Sequence, residues 1–163
     1  MIEEVKRKLQ AELAELDTEL RVHLPKEIKR TREFGDLREN AEYHATLERQ
    51  RMVQARIGQL HKRISEISAI DLSKVPTDRA GYGSTIVLFD RQLEEEITYK
   101  LVTPEESNPP AGLISTASPV GQSLMGAEEG DDVTVRTPAG ARRFEVIRLT
   151  TIHQHLAQAQ SGQ

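Results

Sequence analysis

Val53-Gln54-Ala55-Arg56-Ile57-Gly58-Gln59-Leu60-His61-Lys62-Arg63-Ile64-Ser65-Glu66-Ile67 places apolar residues at 53, 57, 60, 64 and 67, in steps of four, three, four and three. That is the a/d seam of a coiled coil. The surrounding pattern extends the helix from about Leu37 to Ile70, roughly 50 Å at 1.5 Å per residue. A stripe this narrow must be buried against a partner helix. Upstream, residues 2–33 also read as helix, with Val5, Leu9, Leu13, Leu16 and Leu20 on one stripe and Ile28 resuming it. Pro25 removes a backbone donor and predicts a kink or break near Leu24. A short turn favours antiparallel neighbours, so the expected seam pairs Leu9, Leu13 and Leu16 with Ile57, Leu60, Ile64 and Ile67. An intermolecular coiled coil is the alternative that the pattern leaves open.

The turn between the two segments is Gly35-Asp36-Leu37-Arg38-Glu39-Asn40-Ala41-Glu42-Tyr43-His44. It sets two carboxylates, Asp36 and Glu39, at the tip of a long hairpin. Carboxylates suit hard cations such as Mg²⁺, so the tip could serve a metal-dependent active site on another protein. Asp-x-x-Glu is equally a capping-box pattern at a helix start. Spacing alone favours the cap. Lys26, Lys29, Arg30 and Arg32 precede the tip with Glu27 and Glu33 among them, which by itself reads as a solvated helix face.

Past residue 74 the periodicity changes. Pro76, Gly81 and Gly83 end the helical pattern, and residues 75–80 read as a linker. Segments 84–89, 94–102, 133–137 and 142–149 carry the β-branched residues and alternation of strands. Pro138-Ala139-Gly140 predicts a hairpin turn. Ser118-Pro119 predicts a short helix through Met125, closed by Gly126. The expected organisation is therefore α+β: an antiparallel helical hairpin over 1–74, a linker over 75–80, a small β-rich domain over 81–152 and a flexible tail over 153–163. His153-Gln154-His155 lacks further ligands nearby and reads as a surface pair rather than a metal site.

Composition narrows the function. The chain of 163 residues has no cysteine, which excludes disulfides and thiolate metal sites. The N-terminus is charged from Glu3 onward, no run is long enough to span a bilayer, and a cytoplasmic setting is expected. The formal net charge of −4 argues against stand-alone DNA binding, whose affinity comes from neutralising phosphates.

The string Gly35-Asp36-Leu37-Arg38-Glu39-Asn40-Ala41-Glu42-Tyr43-His44-Ala45 resembles the tip of the bacterial GreA/GreB transcript cleavage factors. So do Leu113-Ile114-Ser115, Ser118-Pro119-Val120-Gly121 with Leu124-Met125-Gly126, and Thr137-Pro138-Ala139-Gly140 leading into Phe144-Glu145-Val146-Ile147. The likeness spans nearly the whole chain. It implies an FKBP-like C-terminal domain and a monomer that docks on RNA polymerase. The coiled coil would enter the secondary channel, and the tip would reach the RNA 3′ end of a backtracked complex.

In that scheme Asp36 and Glu39 are the catalytic, metal-holding pair. They share a second Mg²⁺ with the polymerase, and the free protein does not hold that ion stably. Cleavage is the polymerase's own activity, stimulated rather than performed by this chain. Arg32, Arg38 and Arg49 are implied tip contacts to polymerase or transcript, Asn40 and Tyr43 are implied supporting tip residues, either structural or touching RNA and polymerase, and Ser118, Pro119, Val120 and Met125 the docking surface. Leu47 stands where the family usually has an arginine. The alternatives are a channel competitor that does not promote cleavage and a coiled-coil adaptor. Prolyl isomerisation is disfavoured, because it needs an aromatic-lined pocket and the C-terminal half offers only Tyr82, Phe89, Tyr99 and Phe144.

Overall fold

The first arm of the hairpin opens with α1 (Ile2–Thr18), whose Val5 and Leu9 are buried. It continues through a π-helical turn over Glu19–His23 into α2 (Leu24–Arg32). The second arm is α3 (Ala41–Ser68). These come from a computed structural model that describes residues 2–35 and 40–162. Val53, Leu60 and Ile67 of α3 are each only 1 % exposed, and full burial of such a side chain contributes about 1.5–3 kcal/mol. Leu60 and Ile67 pack with Val5 and Leu9, flanked by Ile2, Leu13, Leu16 and Ile64.

The expected intramolecular seam is thus present, with Val53 rather than Ile57 among its most buried members. Two bidentate ion pairs fix the register across it: Arg56 to Glu12 at 2.8 and 3.0 Å, and Arg49 to Glu19 at 2.8 and 2.9 Å. Nearer the tip, Arg30 reaches Glu42 at 3.3 Å. Partner numbers rise along one arm as they fall along the other, so the arms run antiparallel.

Pro25 does not break the first arm. Its ring would crowd the carbonyl four residues back, and it has no N–H to give. The chain answers with a wider turn: the Leu24 N–H bonds Glu19 O, five residues earlier, and Pro25 then occupies the first turn of α2, where a missing donor costs least.

The chain divides into two units, Met1–Ile70 and Asp71–Gln163. The second is built on a five-stranded mixed sheet in the order β3-β2-β1-β5-β4. Its strands are β1 (Thr85–Asp90), β2 (Glu95–Val102), β3 (Leu113–Ser115), β4 (Asp132–Thr137) and β5 (Gly140–Thr150). All neighbours are antiparallel except β2 and β3. The α+β class and the small β-rich second domain match the sequence expectation. β3, only three residues long, lies below what alternation can reveal.

Strand β1 alternates strictly, with Ile86, Leu88 and Asp90 inward. Ile86 and Leu88 join Leu101, Leu124, Phe144 and Val146 in the core. Asp90 ends the strand as a buried acid. It accepts from the Gln92 and Leu93 N–H groups and from Arg142. The Arg142 guanidinium, with those two backbone donors, holds its carboxyl below the usual aspartate range.

Two boundary expectations need correction. Residues 75–80 are not simply a linker: Ala80 is 2 % exposed, and its backbone exchanges hydrogen bonds with Ala127 and Gly126. The segment after 152 is not a loose tail but α5 (Ile152–Ser161). Thr151 and Gln154 form a full capping box at its start, satisfying two otherwise orphaned donors. Ile152 seats against Gly83, where any Cβ would fall within 3 Å of it. His153 and His155 turn to separate partners, the Val75 carbonyl at 2.8 Å and the Thr85 hydroxyl at 2.9 Å. Burial, then Lys100, pushes the His155 pKa down. Neither histidine faces the other as a ligand, and no metal-holding cluster occurs among the described residues.

Candidate functional site

The hairpin tip is built by the end of α2 and the start of α3. Thr31 is fully buried, and its hydroxyl donates back to the Glu27 and Ile28 carbonyls at 2.9 and 3.2 Å. The chain then leaves the helix through Glu33 and Phe34, whose N–H groups reach Lys29 O and Thr31 O. Gly35 follows at φ +103°, a left-handed setting that disfavours any residue with a Cβ. Asp36, Leu37, Arg38 and Glu39 lie outside the described residues.

On the far side, Asn40 is the N-cap of α3, in extended backbone conformation, and its Oδ1 accepts from the Tyr43 N–H at 3.0 Å. Its Nδ2 donates to the Thr31 carbonyl. One side chain therefore ties the end of α2 to the start of α3. With α3 starting at Ala41, Asp36 is not the cap of that helix.

Beside this clamp, Arg30 pairs with Glu27 at 3.0 Å and Glu42 at 3.3 Å, and its guanidinium lies 5.4 Å from the Phe34 ring centroid. Phe34 is 62 % exposed. Sequence reading passed over Thr31, Phe34 and Glu42 as tip residues. Only the N-cap preference of asparagine could have shown where α3 begins.

Both halves of the chain match the descriptions of one protein family. Residues 1–68 fit the N-terminal model of the transcription elongation factors GreA/GreB, and residues 75–151 the C-terminal one. The chain is 46 % identical to a transcription elongation factor GreA of Desulfotalea psychrophila over 145 residues, 89 % of this chain and 90 % of that protein. It is also 46 % identical to a transcription elongation factor GreA of Nitratiruptor over 142 residues, 87 % of this chain and 86 % of that one.

The chain belongs to the GreA/GreB family of transcription elongation factors.

Among solved structures, GreA factor homolog 1 of Thermus thermophilus is similar at 27 % identity and a TM-score of 0.42, covering 89 % of this chain and 94 % of that one. The family assignment rests on the sequence matches. The GreA/GreB C-terminal match ends at Thr151, so α5 lies beyond it.

Within this GreA/GreB chain, the residues predicted to act at the tip divide by role. Arg32 is exposed, and Tyr43 is half-buried with its ring 5.7 Å from that of His44. Arg49 is held by Glu19, whose carboxyl this hydrogen-bonded pairing pulls below its ordinary range. Asn40 has both polar ends engaged inside the protein. Leu47 is half-buried.

The expected docking segment divides similarly. Ser118 caps α4 (Pro119–Leu124) by accepting from the Gly121 N–H and donates to Ser115 O at 2.7 Å. Val120 packs on the core and Leu124 is fully buried. Pro119 and Met125 stay on the surface, with Met125 43 % exposed. The segment is thus mainly a core element, with Pro119, Gln122 and the C-cap residue Met125 exposed.

Proposed function

We propose that this chain binds RNA polymerase and stimulates Mg²⁺-dependent endonucleolytic cleavage of the RNA 3′ end in backtracked, arrested complexes, so that elongation resumes. The observation that carries the reading is the acid pair Asp36 and Glu39 on the turn of an antiparallel hairpin, inside the family's tip string. Hairpin arms about 40 Å long, at 1.5 Å per residue for α3, suit insertion through a channel. The second unit docks the factor through the surface around Pro119 and Met125, and the chain acts as a monomer.

The donor chemistry fits a hard cation. Two carboxylates supply oxygen ligands but too few to complete a coordination sphere of six or more. The ion is therefore shared with carboxylates of the polymerase, and the chain alone is no nuclease. When bound, the second Mg²⁺ supplies charge neutralisation at the scissile phosphate and activates water for attack. Asp36 and Glu39 raise its occupancy when no nucleotide triphosphate brings it. The cap of α3 is supplied by Asn40.

The test is a stalled, backtracked elongation complex incubated with the chain in Mg²⁺. Wild type should shorten the transcript. Asp36→Asn and Glu39→Gln keep shape and lose charge, so cleavage should fall by about 10²-fold or more, the scale of one lost charge-stabilising group, with polymerase affinity nearly intact. Raised Mg²⁺ should restore part of it. Cleavage at wild-type rate with both acids neutralised would remove the mechanism. Binding with no cleavage by wild type would instead identify a channel competitor.

A further inference from the structure

We propose that Asn40 is a positioning residue for the acidic turn, and not a contact to polymerase or transcript. The proposal rests on the metal-holding reading of Asp36 and Glu39. Its evidence is the two-sided engagement of one amide: Oδ1 caps α3 through the Tyr43 N–H, and Nδ2 donates to the Thr31 carbonyl at the end of α2. The anchor is firm, because Thr31 is fully buried and its hydroxyl is tied back to Glu27 and Ile28. The clamp joins the two points from which the residues 32–39 leave and return.

Besides this clamp, the end of α2 and the start of α3 are tied by the exposed Arg30–Glu42 ion pair at 3.3 Å and by the seam further down. With Gly35 at φ +103°, the loop has an intrinsically permissive joint. A fixed separation of Thr31 and Asn40 limits where Asp36 and Glu39, which lie between them in the sequence, can present their oxygens. An amide is required for both bonds at once. Serine and aspartate cap helices about as well as asparagine, but a carboxylate cannot donate to a carbonyl, and a serine hydroxyl is too short to span both.

Asn40→Asp and Asn40→Ser therefore separate the two bonds. Each keeps the helix cap and loses the bridge to Thr31. Three measurements on the full chain read the effect. The first is distance between spin labels. The chain has no cysteine, so Glu33→Cys and Ala45→Cys, both exposed, can be labelled uniquely. The distribution should be narrow in the parent and broaden in both Asn40 variants. The second is affinity for polymerase, expected to stay within about twofold, since no partner contact is removed. The third is transcript cleavage against Mg²⁺ concentration. Misplaced ligands should slow cleavage by up to about 10²-fold at fixed Mg²⁺ and raise the Mg²⁺ needed for half-maximal rate.

A weakened polymerase affinity with unchanged Mg²⁺ dependence would make Asn40 a contact residue and overturn the proposal. So would wild-type cleavage by both variants, or unbroadened distances. If the unsubstituted chain itself fails to promote cleavage, the parent reading falls, and the spin-label distances still decide whether the clamp exists.

Discussion

Gly121 lies where α4 crosses the end of β3, and a Cβ there would stand 1.9 Å from Ser115 O, 2.9 Å from Ser115 C and 3.1 Å from Thr116 Cα. All three obstacles are backbone, so no rotamer change relieves them. Ordinary contact begins near 3.4 Å, so Gly121→Ala must push α4 away by about 1.5 Å at that point, forfeiting much of the contact energy there. The move pulls fully buried Leu124 from the core and stretches the 2.7 Å bond from Ser118 to Ser115 O. Overpacking costs about 1–3 kcal/mol and the strained hydrogen bond about 1 kcal/mol. Replacing glycine in a helix returns about 1 kcal/mol. The net loss is about 1–3 kcal/mol, or about 4–24 °C in the melting of a domain this size. Thermal unfolding followed by tyrosine fluorescence measures it, because Tyr82 and Tyr99 both belong to the second unit. Gly58→Ala is the internal control. Gly58 sits inside α3 with nothing within 4 Å of its added carbon, so the same substitution should stabilise the hairpin by about 0.5–1 kcal/mol. A Gly121→Ala melt within about 3 °C of wild type, under 1 kcal/mol on this scale, would refute the close approach of α4 to β3.

Asp90 gives a pH prediction. Its carboxyl is held low chiefly by Arg142, so the folded state favours the charged form. That stabilisation is complete above the unfolded aspartate pKa of about 3.9 and is lost as pH falls through the folded value. The second unit's melting temperature should drop below about pH 4, and Asp90→Asn should flatten that drop while lowering the melting temperature at neutral pH. In the hairpin, a double-mutant cycle on Glu12 and Arg56, 40 % and 46 % exposed, should return a coupling of only about 0.5 kcal/mol. It should shrink in concentrated salt. A coupling that survives high salt would mean the pair is drier than its exposure implies.

The hairpin was legible because a coiled-coil seam writes its period directly into sequence. Val53, Leu60 and Ile67 had to find a partner stripe, and Val5 and Leu9 were the nearest one. The start of α3 was not legible, since Asp36-x-x-Glu39 imitates a capping box and drew the predicted start toward Leu37, four residues ahead of Ala41. The fate of Pro25 depended on whether the helix could widen upstream, which no local propensity reports. The α5 helix was present in the pattern Thr151-x-x-Gln154 but hidden by a Gln- and Ala-rich composition that reads as frayed. For the docking segment, apolar content alone could not separate Leu124, which fills the core, from Met125, which does not. Burial there depends on which way a six-residue helix faces, and that is fixed by Gly121 letting backbone meet backbone.

The π turn at Glu19–His23 gives one arm a different reading frame from the other. Counting in sevens from Leu9 leads to position 16 and then 23, yet the buried residues of α2 are Leu24 and Thr31, one step late. The turn absorbs that surplus residue, so both stretches of the arm still face α3. Loss of one residue between 19 and 23, made together with exchange of Pro25 for a helix former, would leave an unbroken heptad count. Loss of one residue from the middle of α3 has no such absorber. It would rotate everything beyond it by about 100°, one residue's share of a helical turn, and swing half the seam into water. Among the described helices, a one-residue change of length is thus absorbed at Glu19–His23 and not in the middle of α3.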